Sequence, residues 1–149
     1  MIILADFHNT ISQEPAYFKR LSQTDDFYVI TGSKPYSHVT DKIIPSYLQF
    51  MNVKRIFARK TEKDCNNFFE ADEWKIKTVL KFRPDVYYDD DYDFCTRIKL
   101  VNPKIMVVHM VARFEPICWH QFERSYCTVC KKYYPWAFNG SLQMEMSEL

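Results

Sequence analysis

Five short apolar runs, each closing on a polar or charged residue, constrain this chain more than any other feature. They are "IILA" (2–5), "FYVI" (27–30), "RIFA" (55–58), "VYY" (86–88) and "IMVV" (105–108). Uninterrupted apolar runs of this length suit strands buried on both faces. Helix-length segments separate them. "SQEPAYFKRLSQ" offers Ser12 as a cap and Pro15 near the first turn. "YSHVTDKIIPSYLQFM" carries Pro45 in its interior, which predicts a kink or a split. "EADEWKIKTVLKF" spaces Trp74, Ile76, Val79 and Leu80 for one helix face, with acids first and lysines later, as the helix dipole favours. "DYDFCTRIKLV" repeats the pattern more weakly. Strands alternating with helices imply parallel pairing through right-handed crossovers. The predicted fold class is therefore α/β, a three-layer α/β/α sandwich with a parallel sheet of about five strands, and such sheets collect ligands at the carboxyl ends of their strands.

The alternation stops after His109. We read residues 1–111 as the α/β domain, 112–140 as a small Cys/His module packed on it, and 141–149 as a tail. A hydrophobic content of 47% and an aromatic content of 17% predict a folded globule. A net charge of +1 excludes a general affinity for nucleic acid or acidic membranes, so any such binding has to be local. No apolar run approaches the roughly 20 residues of a membrane span. The first residues lack a basic start and a small-residue cleavage site, which predicts a cytoplasmic, reducing location. Five cysteines then point to metal or free thiols rather than to a disulfide framework. With Gly32 and Gly140 as its only glycines, the chain has no glycine-rich phosphate loop.

Polar residues at the strand ends carry the chemistry. The first strand runs into Asp6, followed by Phe7, His8, Asn9 and Thr10. The second ends "VITGSKP", with Thr31 as its first polar residue, and the fourth ends "VYYDDDYD", which supplies Asp89, Asp90, Asp91 and Asp93. Lys75 lies fourteen residues before Asp89. In a parallel sheet all of these converge on one edge. Each has an ordinary reading taken alone: Asp6 as a cap or turn, the acidic run as a solvated loop, Thr31 as a common residue after a strand. Lys75 competes with Lys77 and Lys81 on the same helix. Together they supply what phosphomonoester hydrolysis needs. Asp6 can attack phosphorus and split one displacement into two. Asp6 and Asp89, supported by Asp90 or Asp93, offer the hard oxygens that Mg²⁺ prefers. Thr31 and Lys75 can hold the phosphoryl oxygens.

In that order, "DFHNT", "VITGS", the Lys75 region and "YYDDD" resemble the four motifs of the haloacid-dehalogenase superfamily of phosphohydrolases, over about residues 1–109. The resemblance implies a Rossmann-like sheet, an aspartyl-phosphate on Asp6, and Mg²⁺ held by Asp6, the backbone carbonyl of His8, Asp89 and Asp90. It also implies a general acid–base at position 8, where the family usually has a second aspartate. Imidazole can donate and later accept a proton, but its cationic form is opposed by a nearby metal. Either His8 is a working substitute, or it is a packing residue and the chain is a weak or inactive scaffold. The phrase "PDVYYDDD" resembles the nucleotidase-type members. The 25 residues from Asp6 to Thr31 and the 44 from Thr31 to Lys75 leave no room for the cap domain usual in the family. That predicts an open site, lidded at most by loops such as "KTEKDCNNFFEAD". The implied substrates are nucleotides, polynucleotide ends or other phosphorylated molecules.

"CWHQFERSYCTVCKK" places Cys118, His120, Cys127 and Cys130 at spacings that suit a Cys₃His zinc site. Metal ligation would supply the folding energy that so short a segment cannot bury. Ordinary buried thiols, or a redox pair at Cys127 and Cys130, are the alternatives. Cys65 and Cys95 fall outside the cluster. Lys131, Lys132, Tyr133, Tyr134 and Trp136 follow it, and either meet a protein or nucleic-acid partner or pack the module onto the sheet.

Overall fold

A computed structural model describes residues 1–59, 68–111 and 119–137, the side chains of Phe68 and Phe69 excepted. Five parallel strands form the main sheet: β1 (Ile2–Asp6), β2 (Asp26–Ile30), β3 (Val53–Phe57), β4 (Val86–Asp89) and β5 (Met106–His109). Their order is β3-β2-β1-β4-β5. This is a Rossmann-like arrangement. The chain builds outward from β1 through β2 to β3, then crosses back to lay β4 on the other side of β1. The loops leaving β1 and β4 therefore diverge and open a crevice between them.

Four helices cover the sheet: α1 (Pro15–Thr24), α2 (Ile44–Leu48), α3 (Phe68–Phe82) and α4 (Tyr92–Val101). Side-chain alternation along the strands sorts the core into two layers. Ile3, Ala5, Val86 and Tyr88 join Phe18 of α1 and Tyr47 of α2 on one face. Leu4 and Tyr87 join Ile76 and Val79 of α3 and Ile98 of α4 on the other. Each fully buried side chain of this size contributes about 1.5–3 kcal/mol.

The five apolar runs all become strands, but only the central three are well buried. β3 and β5 are the sheet edges, and Lys54, Arg55 and Ile56 of β3 are exposed. The expectation of burial on both faces fails there because an edge strand has a neighbour on one side only. Ser12 does not cap α1. Its hydroxyl accepts from the Asn9 backbone N–H, while Pro15 opens the helix. The segment around Pro45 does divide, into a wide π-helical turn (Val39–Ile43) and the short α2.

Three two-residue strands, β6 (Phe122–Glu123), β7 (Tyr126–Cys127) and β8 (Lys132–Tyr133), form a separate antiparallel sheet. It lies against the α1/α2 face. Trp119 and Trp136 pack on that core, and the Lys19 ammonium donates to the Trp136 carbonyl at 2.7 Å. Cys65, Cys118 and the tail from residue 138 lie outside the described residues, as does most of the loop read as a lid. No helix among the described residues is long and apolar enough to cross a membrane.

Candidate functional site

Strand register brings the first acidic residue to the second. Ala5 pairs with Tyr88, so Asp6 and Asp89 follow side by side at the carboxyl ends of β1 and β4, at the mouth of the crevice. Asp6 shares the parity of Leu4, and Asp89 that of Tyr87, so both carboxylates turn toward the α3/α4 layer. Lys75, near the middle of α3, meets them there. Its ammonium lies 2.8 Å from Asp6 Oδ1 and 3.1 Å from Asp89 Oδ2. Lys77 and Lys81 are exposed, which settles which lysine of α3 reaches the strand ends.

The turn after β1 explains its polar run. His8 is extended, and Asn9 sits in the left-handed region at φ 56, which asparagine tolerates better than most residues. The chain reverses, and the Thr10 hydroxyl returns to donate to Asp6 Oδ2 at 3.4 Å. The Tyr87 hydroxyl donates to Asp89 Oδ2, and the Asp91 N–H donates to Asp89 Oδ1 at 3.0 Å. Asp6 and Asp89 are almost wholly buried. Burial, and then the neighbouring Asp89 charge, push the Asp6 carboxyl upward against the pull of Lys75. Burial pushes the Lys75 ammonium down, but the two carboxylates together outweigh it and hold it above its ordinary value.

Asp90 joins this group: one carboxylate oxygen from each of Asp6, Asp89 and Asp90 lies within 4.8 Å of the other two, so the three could hold a metal ion. The rest of the acidic run does other work. Asp91 caps α4 by accepting from the Phe94 N–H at 3.1 Å, and Asp93 is exposed in the first turn.

A cavity of about 580 Å³ opens over the carboxylates, with Asp6, Lys75 and Asp89 at its base and His8, Ser33, Lys34 and Arg59 on its wall. Thr31 is buried behind that wall. Its hydroxyl donates to Ser33 Oγ at 3.0 Å and stands 3.4 Å from His8 Nε2. His8 Nε2 also meets Ser33 Oγ, and the imidazole packs edge-on against Phe7 and Trp119. Burial first, and the Lys75 charge second, lower the His8 pKa to about 4. Ser33 and Arg59 were not singled out from the sequence. Both follow strand ends, at "TGS" after β2 and "FAR" after β3, and that position was the available signal.

A second group lies in the small sheet. His120 Nδ1 is 3.3 Å from Cys127 Sγ and 3.7 Å from Cys130 Sγ. Cys127 Sγ accepts from the Cys130 N–H at 3.5 Å. Burial works against the Cys127 thiolate, but backbone N–H donors, Cys130 first among them, bring its pKa below the ordinary thiol value. These three side chains could also hold a metal ion. Cys118, the fourth residue of the predicted set, is outside the described residues.

Comparison with protein-family models, curated proteins and solved structures gave no match to this chain.

Proposed function

We propose that this chain is a Mg²⁺-dependent phosphomonoesterase with Asp6 as its nucleophile, of the haloacid-dehalogenase type that its strand-end motifs resemble. The observation that carries the reading is the meeting of Asp6 and Asp89 at the topological switch point, with the Lys75 ammonium against both. Three carboxylates with oxygens within 4.8 Å suit a hard cation such as Mg²⁺, whose opposed ligands stand about 4 Å apart. When bound, the ion supplies charge neutralisation between carboxylate and phosphate.

The chain's own residues account for the remaining steps. An Asp6 oxygen attacks phosphorus, and the bond to the leaving alcohol breaks, its electron pair passing to the alcohol oxygen. That oxygen takes a proton from His8, the imidazole on the cavity wall. Because burial and the Lys75 charge lower its pKa to about 4, the protonated form is scarce at neutral pH and the step should quicken as the pH falls. Water then attacks the phosphorus of the aspartyl-phosphate, returns its proton to His8, frees the Asp6 carboxylate and releases inorganic phosphate. Lys75 and the Ser33 hydroxyl hold the phosphoryl oxygens, and Thr31 orients Ser33 from behind.

A second reading, a scaffold without turnover, draws on the same His8. Its ring is packed between Phe7 and Trp119, as an ordinary core histidine would be. Hydrolysis of an aryl phosphate with Mg²⁺ separates the two. Wild type should turn over, and Asp6→Asn should lose about a thousandfold or more. Equal rates in both proteins would remove Asp6 as the nucleophile. No turnover of aryl phosphate, nucleotides or phosphorylated oligonucleotides by wild type would establish the scaffold.

The small sheet is read as a structural zinc site of His120, Cys127 and Cys130, with Cys118 as the fourth ligand. In a tetrahedral site, sulfur and nitrogen ligands stand about 3.6 Å apart. The 3.3 and 3.7 Å separations agree with that spacing. Elemental analysis should find one zinc per chain, as one ligand set requires.

A further inference from the structure

We propose that the groove between β3 and α3 seats single-stranded nucleic acid whose phosphorylated end enters the Asp6 cavity. This rests on the phosphomonoesterase reading and names its substrate class.

The groove holds about 820 Å³. Its wall carries the rings of Phe57, Trp74 and Phe82 and the cations Arg55 and Lys81, and no carboxylate among the described residues. The neighbouring cavity, by contrast, is lined by several aspartates. In a chain whose net charge is only +1, a groove whose described lining holds two cations and no acid is a local anion-attracting surface. Phe57 and Phe82 form an aromatic cluster with Tyr28: Phe57 and Phe82 have centroids 4.8 Å apart, and Tyr28 lies 4.7 Å from Phe82. The Arg55 guanidinium sits 4.6 Å over the Phe57 ring, and the side chain is exposed. Half-buried rings beside exposed cations match a polymer that alternates flat bases with phosphates.

Groove and cavity are built from the same two elements. The end of β3 gives Ala58 to the groove and Arg59 to the cavity. Helix α3 gives Trp74 to the groove and Lys75 to the cavity. From Lys75 to Phe82 the helix runs about 10 Å, enough for the first bases behind the reacting phosphate. A strand lying there would present its terminal phosphate to Asp6 while its next phosphates met Lys81 and Arg55.

The test uses the whole chain and a fluorescent, terminally phosphorylated oligothymidylate, read by anisotropy across a salt series. The double variant Arg55→Glu, Lys81→Glu should bind at least about tenfold more weakly and show a flatter salt dependence. Its turnover of the small aryl phosphate should be unchanged, since neither residue lines the Asp6 cavity. Both side chains are exposed, and the milder pair Arg55→Gln, Lys81→Gln gives the same comparison if charge reversal perturbs folding. Oligonucleotide binding that is equal in wild type and variant overturns the proposal. So does a phosphopeptide that binds more tightly than the oligonucleotide and loses affinity in the variant. If wild type binds the oligonucleotide and the variant does not, yet neither hydrolyses aryl phosphate, the groove stands and the phosphatase reading falls.

Discussion

The carboxylate group and the His/Cys/Cys group are both able to hold a metal, and they differ in what holds them. Asp6 and Asp89 extend from two central strands whose cores pack on both faces, and a protein cation already lies against both. The second group hangs on three strands of two residues each. No core of its own backs it beyond Cys127 and Ala137, the fully buried residues of that segment among those described. One group is organised by the fold around it; on the proposed zinc reading, the other needs its ligand to organise the fold. The same residue classes thus serve opposite causal orders, and each order can be tested.

Lys75→Met gives the largest expected effect. It leaves two buried carboxylates with no neutralising partner, which costs about 3–5 kcal/mol. Urea unfolding at neutral pH without divalent ions should register that loss. Saturating Mg²⁺ should recover part of it, because a ligand of the native state alone stabilises by mass action. A loss under about 1 kcal/mol would mean that Lys75 is not what compensates these charges, and the contrast with the small sheet would fail.

Removing the proposed zinc is the intermediate case. A chelator should release the amides of Phe122–Tyr133 to hydrogen exchange, while those of β1 and β4 stay protected, since the two sheets have separate supports. Cys127→Ser should do the same without a chelator. Loss of protection in β1 as well would show that the module is part of the main core. The contacts of Trp119 and Trp136 with that core are where such coupling would enter.

How much of this could be read from the sequence follows the same division. The strands were legible because apolar runs of strand length have few alternatives, Asp6 and Asp89 because parallel topology sends strand ends to one edge, and Lys75 from its spacing to Asp89 along the preceding helix. Edge position was not legible: the run "RIFA" looks as buried as "FYVI", and only the strand order makes Ile56 exposed. Thr31 was found at the right strand end, but its hydroxyl faces Ser33 and His8 rather than the cavity, a matter of one side-chain direction that spacing does not encode. Ser12 is of a residue type that can cap a helix, but the left-handed turn at Asn9 claims its hydroxyl instead.

The smallest effect separates fold from site within a single acidic run. Asp91 caps α4, and Asp90 shares the carboxylate group, though the two are adjacent and chemically identical. Asp91→Ala should cost about 1 kcal/mol of stability, the worth of a helix cap. Mg²⁺ affinity should change little, because the Asp91 contact to Asp89 is made by its backbone N–H, which alanine keeps. Asp90→Ala should do the reverse. Asp90 is half-buried beside two other carboxylates, and burial, with the Asp89 charge adding to it, raises its carboxyl pKa. Its removal should therefore leave metal-free stability almost unchanged while weakening Mg²⁺ binding. Unfolding of both variants, with and without Mg²⁺, reads the crossover directly. If both variants lost stability and neither lost metal affinity, the acidic run would be helix-capping chemistry throughout, and the carboxylate group would reduce to the Asp6–Lys75–Asp89 ion pairs.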